Sequence, residues 1–147
     1  MNKILLILVL IFFFQGCDFK RDFKYVKISD NKKIKPRFEP LVKRYKEYWE
    51  CMSKKDFDCS YRYEMPYQRF LHSLKWYKNF NTPNKKHYMI KLLDIKPVDK
   101  YTVVVKSAFV SADNKVNYMF HDRWYNVNNL WFHKMKVSIL PFGENVE

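Results

Sequence analysis

The apolar residues of this chain change their spacing once, near residue 83, and that change bounds what it can fold into. Before Asn79-Phe80-Asn81-Thr82-Pro83 they recur at helical intervals, and after it they alternate. Leu41, Tyr45, Tyr48, Trp49 and Met52 follow Pro40, which suits a first helical turn, so a helix is expected there. A second, short helix is expected from Asp56, a good cap residue, with Phe57 and Tyr61 on it, broken by Pro66. A third carries Phe70, Leu71, Leu74 and Tyr77 on one side.

The alternating half predicts four strands over 88–96, 101–111, 116–127 and 130–140, with breaks at Pro97-Val98-Asp99-Lys100, Asp113-Asn114 and Asn128-Asn129. Asn and Asp tolerate positive φ, so the last two breaks read as two-residue hairpin turns. Those turns set a register. Val127 faces Leu130, Trp124 faces His133 and Asp122 faces Met135, while Phe109 faces Tyr118, Ser107 faces Phe120 and Val105 faces Asp122. One face then carries Val103, Val105, Phe109, Tyr118, Phe120, Trp124, Trp131, Met135, Val137 and Ile139. A one-residue slip in either hairpin would split this set across two faces. The expectation is an α+β domain, with N-terminal helices packed on a curved four-stranded antiparallel meander.

The start of the chain carries a different signal. Met1-Asn2-Lys3 is basic, and Ile4–Phe14 is an unbroken apolar run of eleven residues. Spanning a bilayer takes about 20, so the run suits a signal peptide. Phe14-Gln15-Gly16-Cys17 resembles the lipobox of bacterial lipoproteins, although Phe and Gln replace the more usual Leu and small residue. The resemblance implies cleavage before Cys17, acylation of Cys17 and a lipid-anchored domain facing the periplasm. Asp18 resembles an inner-membrane retention signal. The chain then divides into a signal peptide (1–16), a lipidated N-terminus and tether (17–37), one domain (38–143) and a tail (144–147).

An exported chain is expected in an oxidising compartment, where Cys51 and Cys59, flanking a helix–helix corner, form a candidate disulfide. Two buried thiols are the alternative. The net charge of +13 suits an anionic surface. A Lys- and Asn-rich, Ala- and Gly-poor composition also fits codon bias, and export argues against nucleic acid.

In the derived register, Asp94, Asp122 and His133 are the ionisable groups on the apolar face, with Asp122 diagonal to His133. A carboxylate beside an imidazole suits acid–base chemistry, and it equally suits a satisfied polar site in a core. Asp94, Tyr61, Tyr67, Trp76, Tyr118, Trp124 and Trp131 are candidates for a pocket wall or plain core, and Glu64 and His72, on the helices, read as surface residues, with the cavity mouth as their alternative. His72, His87, His121 and His133 show no metal-ligand spacing. With only Gly16 and Gly143 no phosphate-cradling loop forms, so no cofactor is expected.

The order of helices before strands, with Asp122-x-Trp124 ahead of a turn and Trp131-x-His133 after it, resembles the nuclear transport factor 2-like (SnoaL-like) superfamily over roughly residues 40–143. Asn128-Asn129 stands where many members have Asp-Gly. The resemblance implies a cone-shaped fold around an apolar cavity. In the leading reading the domain binds a small apolar ligand or an envelope protein without catalysis. In the other it is a cofactor-independent isomerase, cyclase or dehydratase, with Asp122 as base and His133 as partner or acid. Met89, Leu93, Ile95, Val104, Val110 and Phe132, on the second face, suggest either a covering element or a homodimer.

Overall fold

The computed structural model describes residues 26–29, 34–81, 89–111 and 115–137. The leader, Cys17, His87, Asp113-Asn114 and the residues from Ser138 onward lie outside them. The architecture is α+β.

A 3-10 turn over Pro36–Phe38 leads into helix α1, Glu39–Ser53, whose buried residues Leu41, Val42, Tyr45, Tyr48 and Cys51 lie on one stripe. Lys55, at φ 57°, turns the chain out of it. Helix α2, Phe57–Tyr61, opens on Asp56, whose carboxylate accepts from the Cys59 amide at 3.0 Å. A disulfide joins Cys51 to Cys59 across this corner, with the Cα atoms 5.7 Å apart. Closing so short a loop restricts the unfolded chain modestly. Reduction should therefore lower stability by about 2–3 kcal/mol, read as a drop in urea midpoint with reductant present. An unchanged midpoint would show that the bond contributes nothing.

The expected third helix is two. Helix α3, Pro66–Leu71, stops at His72, which is extended, and helix α4, Leu74–Asn81, begins after Ser73. The Ser73 hydroxyl accepts from the Trp76 amide at 3.3 Å, so a capping serine ends one helix and starts the next. The break redirects the side chains. Tyr77 is buried, whereas Phe70 and Leu71 are exposed and do not join it on a core face.

Among the described residues the sheet has five strands rather than four, in the order β1 to β5. They are β1 (Val26–Ile28), β2 (Met89–Pro97), β3 (Thr102–Val110), β4 (Val116–Val127) and β5 (Leu130–His133). Strand β1 comes from the stretch expected to be a tether. It pairs parallel to β2, with Val26 opposite Ile90 and Ile28 opposite Leu92, and packs both side chains on the core. The remaining neighbours are antiparallel.

Both hairpin registers match the expected pairs along most of their length. Asn128 and Asn129 take φ 51° and 65°, and Val127 faces Leu130 and Trp124 faces His133. Phe109 faces Tyr118, Ser107 faces Phe120 and Val105 faces Asp122. Two bulges depart from it. Near the 112–114 tip Val110 faces Val116, where a two-residue turn would require Asn117. In β2, Leu93 is an extra residue between Leu92, opposite Ser107, and Asp94, opposite Lys106. A bulge inverts every side chain beyond it. Asp94 consequently points to the second face, and Ile95, opposite Val105, packs on the core.

The core lies between α1 and the first face. Leu41, Tyr45 and Tyr48 meet Leu92, Val105, Trp124 and Trp131, all under a tenth exposed. On the second face Val110 is buried, and none of the other residues named for a homodimer is fully exposed.

Candidate functional site

The outer edge of the short strand β5 is occupied. The His133 amide donates to the Tyr63 carbonyl at 2.7 Å, and the Met65 amide donates to the His133 carbonyl at 2.9 Å. Beyond this bridge the Gln68 side chain substitutes for a strand. Its Nε2 donates to the Met135 carbonyl at 3.0 Å, and its Oε1 accepts from the Met135 amide at 2.8 Å. The edge is thereby covered, and on the inner side the Lys134 amide donates to the Arg123 carbonyl at 2.9 Å, which carries the expected register past β5.

The same bridge brings Glu64 beside His133. Glu64 is 1% exposed, not a surface residue. Its carboxylate accepts from His133 Nδ1 at 2.7 Å, Tyr77 Oη at 2.9 Å and Tyr48 Oη at 3.2 Å. Tyr77 also donates toward Ser60 at 3.2 Å, which ties α4 to α2. Tyr48 lies against the imidazole, with ring centroids 4.6 Å apart.

Asp122 and His133 do come together, as neighbours across β4 and β5. His133 Nε2 is 3.7 Å from Asp122 Oδ1, an ion-pair separation too long for a hydrogen bond. Lys136 Nζ stands 3.3 Å from that same oxygen. Burial by itself would push the imidazole toward neutrality. The charge of Glu64, the polar contacts with Asp122 and Glu64, and the charge of Asp122 outweigh it, and the His133 pKa rises to about 10. His133 is therefore an imidazolium at neutral pH, a donor at both nitrogens. Burial likewise pushes the Tyr48 and Tyr77 hydroxyls up, with Glu64's charge adding to the effect, so both stay protonated donors.

These groups line one half-open pocket of about 290 Å³. Glu64, Asp122, His133 and Lys136 form its polar part, and Tyr48, Trp49, Met52, Tyr77, Phe80, Phe109, Tyr118, Phe120 and Met135 its apolar part. Among its lining residues Trp49 Nε1 is buried without a hydrogen-bond partner in the protein, and so are the two atoms of the charged pair, Asp122 Oδ2 and His133 Nε2. One is an acceptor and the other a donor. A ligand group that both donates and accepts, such as a hydroxyl or primary amide, has the chemistry to satisfy both.

Of the expected wall residues, Tyr118 lines the pocket. Trp124 and Trp131 are core residues behind it. Tyr61 instead donates to the His72 and Arg69 carbonyls at 2.6 and 2.8 Å and clamps the α3 end. Trp76 stacks on His72 and Phe80 outside the pocket, Asp94 is on the far side of the sheet, and Tyr67 is partly exposed. Sequence reasoning favoured the surface for Glu64, with the cavity mouth as its alternative, and gave it no part in the Asp122 and His133 cluster. Arg62 and Glu64 alternate with Tyr61, Tyr63 and Met65, a pattern that reads as an outward charged edge. Nothing local marks the backbone bridge that turns Glu64 inward.

Among the described residues no cluster of His, Cys, Asp and Glu suits a metal ion, and no helix is long and apolar enough to cross a membrane. No protein-family model and no curated protein matches the chain. Among solved structures it is similar to a SEC-C motif containing protein from Psychrobacter arcticus, at 13% identity and a TM-score of 0.48, covering 77% of this chain and 67% of that one.

Proposed function

We propose that this chain is an envelope lipoprotein, acylated at Cys17, whose nuclear transport factor 2-like domain binds a small, largely apolar ligand and leaves it unchanged. The ligand carries one hydroxyl or amide at an apolar edge. The observation that carries this reading is the open, aromatic-walled pocket ending on an unpartnered donor and an unpartnered acceptor. Binding is favoured over turnover because Glu64 holds the His133 proton, and Lys136 sits on the carboxylate that would have to act as base. The isomerase-like alternative needs a ring nitrogen that exchanges its proton near neutral pH.

Two bicyclic probes test the pocket. 1-Naphthol should quench intrinsic fluorescence at lower concentration than naphthalene, which has the same walls to meet and no group for Asp122. Asp122→Asn should erode that preference by about tenfold or more, the worth of a hydrogen bond to a charged group. Equal affinity for the two probes would remove the polar half of the proposal, and no binding of either would remove the pocket. The anchor is tested separately, by incorporation of labelled palmitate that disappears in Cys17→Ser.

A further inference from the structure

Helices α3 and α4 carry apolar side chains on the outside of the molecule. Phe70 is 90% exposed, Leu71 53%, Phe80 49% and Tyr67 43%. Tyr67 lies one turn before Phe70 and Leu71 on α3, and Trp76 one turn before Phe80 on α4. His72, next to Leu71, stacks on Trp76 at 4.2 Å, and Trp76 stacks on Phe80 at 4.9 Å. Tyr67, Phe70 and Leu71 on α3 thus run along the chain directly into the stack of His72, Trp76 and Phe80, six residues of one band. A lone exposed phenylalanine needs no explanation, but a continuous apolar band marks a contact surface.

The charge around the band selects the partner. From Tyr61 to Asn81 the chain has Arg62, Arg69, Lys75 and Lys78 and one acid, Glu64, which is buried on the imidazolium. Lys78 is already paired with Asp58 at 2.6 Å. The solvent-facing charge of this arm is positive, in a chain of +13. Protein interfaces are depleted in lysine at their centres. Exposed Phe, Leu and Tyr beside a half-buried Trp, interleaved with Lys and Arg, is instead the make-up of a segment lying in a lipid headgroup layer.

We propose that the α3–α4 arm docks on an anionic lipid bilayer, with Phe70 and Leu71 entering the acyl boundary and Arg69 and Lys75 at headgroup phosphates. Docking fixes an orientation and is independent of whether Cys17 is acylated. Phe80 belongs both to the band and to the pocket wall. The docked arm thus brings the pocket mouth to the lipid, and an apolar ligand enters it without crossing water.

The experiment uses the full chain reconstituted in vesicles of phosphatidylcholine and phosphatidylglycerol whose acyl chains are brominated near the headgroup. Trp76 is the reporter, because Trp124 and Trp131 are buried and Trp49 packs on the core. Brominated lipid should quench the emission, and Trp76→Phe should lose the quenching. Phe70→Ser, at a position too exposed to disturb the fold, should weaken it, and Lys75→Glu should lower it by about fivefold or more. Pure phosphatidylcholine vesicles should give little. Quenching that survives Trp76→Phe, or that is equal on neutral vesicles, overturns the proposal. So does a dimer of the detergent-solubilised protein that Phe70→Ser dissociates, since the band would then join two copies. None of these outcomes touches the naphthol test, so the two readings fail separately.

Discussion

Glu64→Gln should unfold more readily than the parent chain by about 3–5 kcal/mol, the usual effect of removing one member of a buried ion pair. Glu64 is the shared acceptor for His133 Nδ1, Tyr77 and Tyr48. An amide there has one oxygen for three donors, and its own NH2 is left facing other donors. The imidazolium also loses the charge that offsets its burial. Urea denaturation measures the loss, and Glu50→Gln is the control. Glu50 pairs with Lys54 at 2.6 Å on an exposed helix face, where such a pair contributes about 0.5 kcal/mol or less. Adding His133→Gln to Glu64→Gln should recover part of the loss, because both charges leave together. A Glu64→Gln chain as stable as the Glu50 control would mean that the bridge placing Glu64 inside does not hold in solution.

Stability should fall as pH rises from about 6.5 to about 10, contrary to the usual carboxylate-driven gain. The sign follows from the direction of the His133 shift. The folded pKa of about 10 lies above the ordinary imidazole value of 6.5. Below 6.5 both folded and unfolded chains hold the proton, and the stabilisation is complete. Between the two values only the folded chain holds it, so each pH unit removes about 1.4 kcal/mol. The loss across the window is on the order of 5 kcal/mol. Above about 10 the decline continues, because Tyr45, Tyr48 and Tyr77 are kept neutral by burial while the unfolded chain ionises its tyrosines. Urea midpoints measured at intervals from neutral to alkaline pH should slope downward for the parent and much less for His133→Gln. A flat parent profile would show that the ring does not hold its proton, and the case for binding over acid–base turnover would weaken with it.

The two hairpins illustrate how much of this was legible. Asn128-Asn129 is readable because a two-residue turn needs positive φ at both positions and asparagine accepts it. Once that turn is placed, Trp124 opposite His133 follows from counting. The α1 stripe is readable for the same reason, since Leu41, Tyr45, Tyr48 and their neighbours repeat at the period of the structure they form. The His72-Ser73 break was readable in principle, because serine before a helical run is a cap, yet the apolar spacing across it masked the signal. Strand β1 was not readable. Three residues in a charged stretch show no period, and they become a strand only because β2 offers them an edge.

Asp94 and Glu64 were misplaced for reasons that no pattern of neighbouring residues contains. The extra residue in β2, Leu93, has no glycine or other marker, yet it moves Asp94 to the far face and Ile95 into the core. Glu64 reaches His133 across 69 positions of chain, through a bridge between a turn and a strand edge. Period and turn chemistry act over a few residues, so the amino-acid order alone settled α+β, both hairpin registers and the meeting of Asp122 with His133. The third member of that cluster, the protonation of its ring and the shape of the pocket depend on which distant surfaces pack together. Burial and charge act through space and not along the backbone, so these features exist only once the chain has closed on itself.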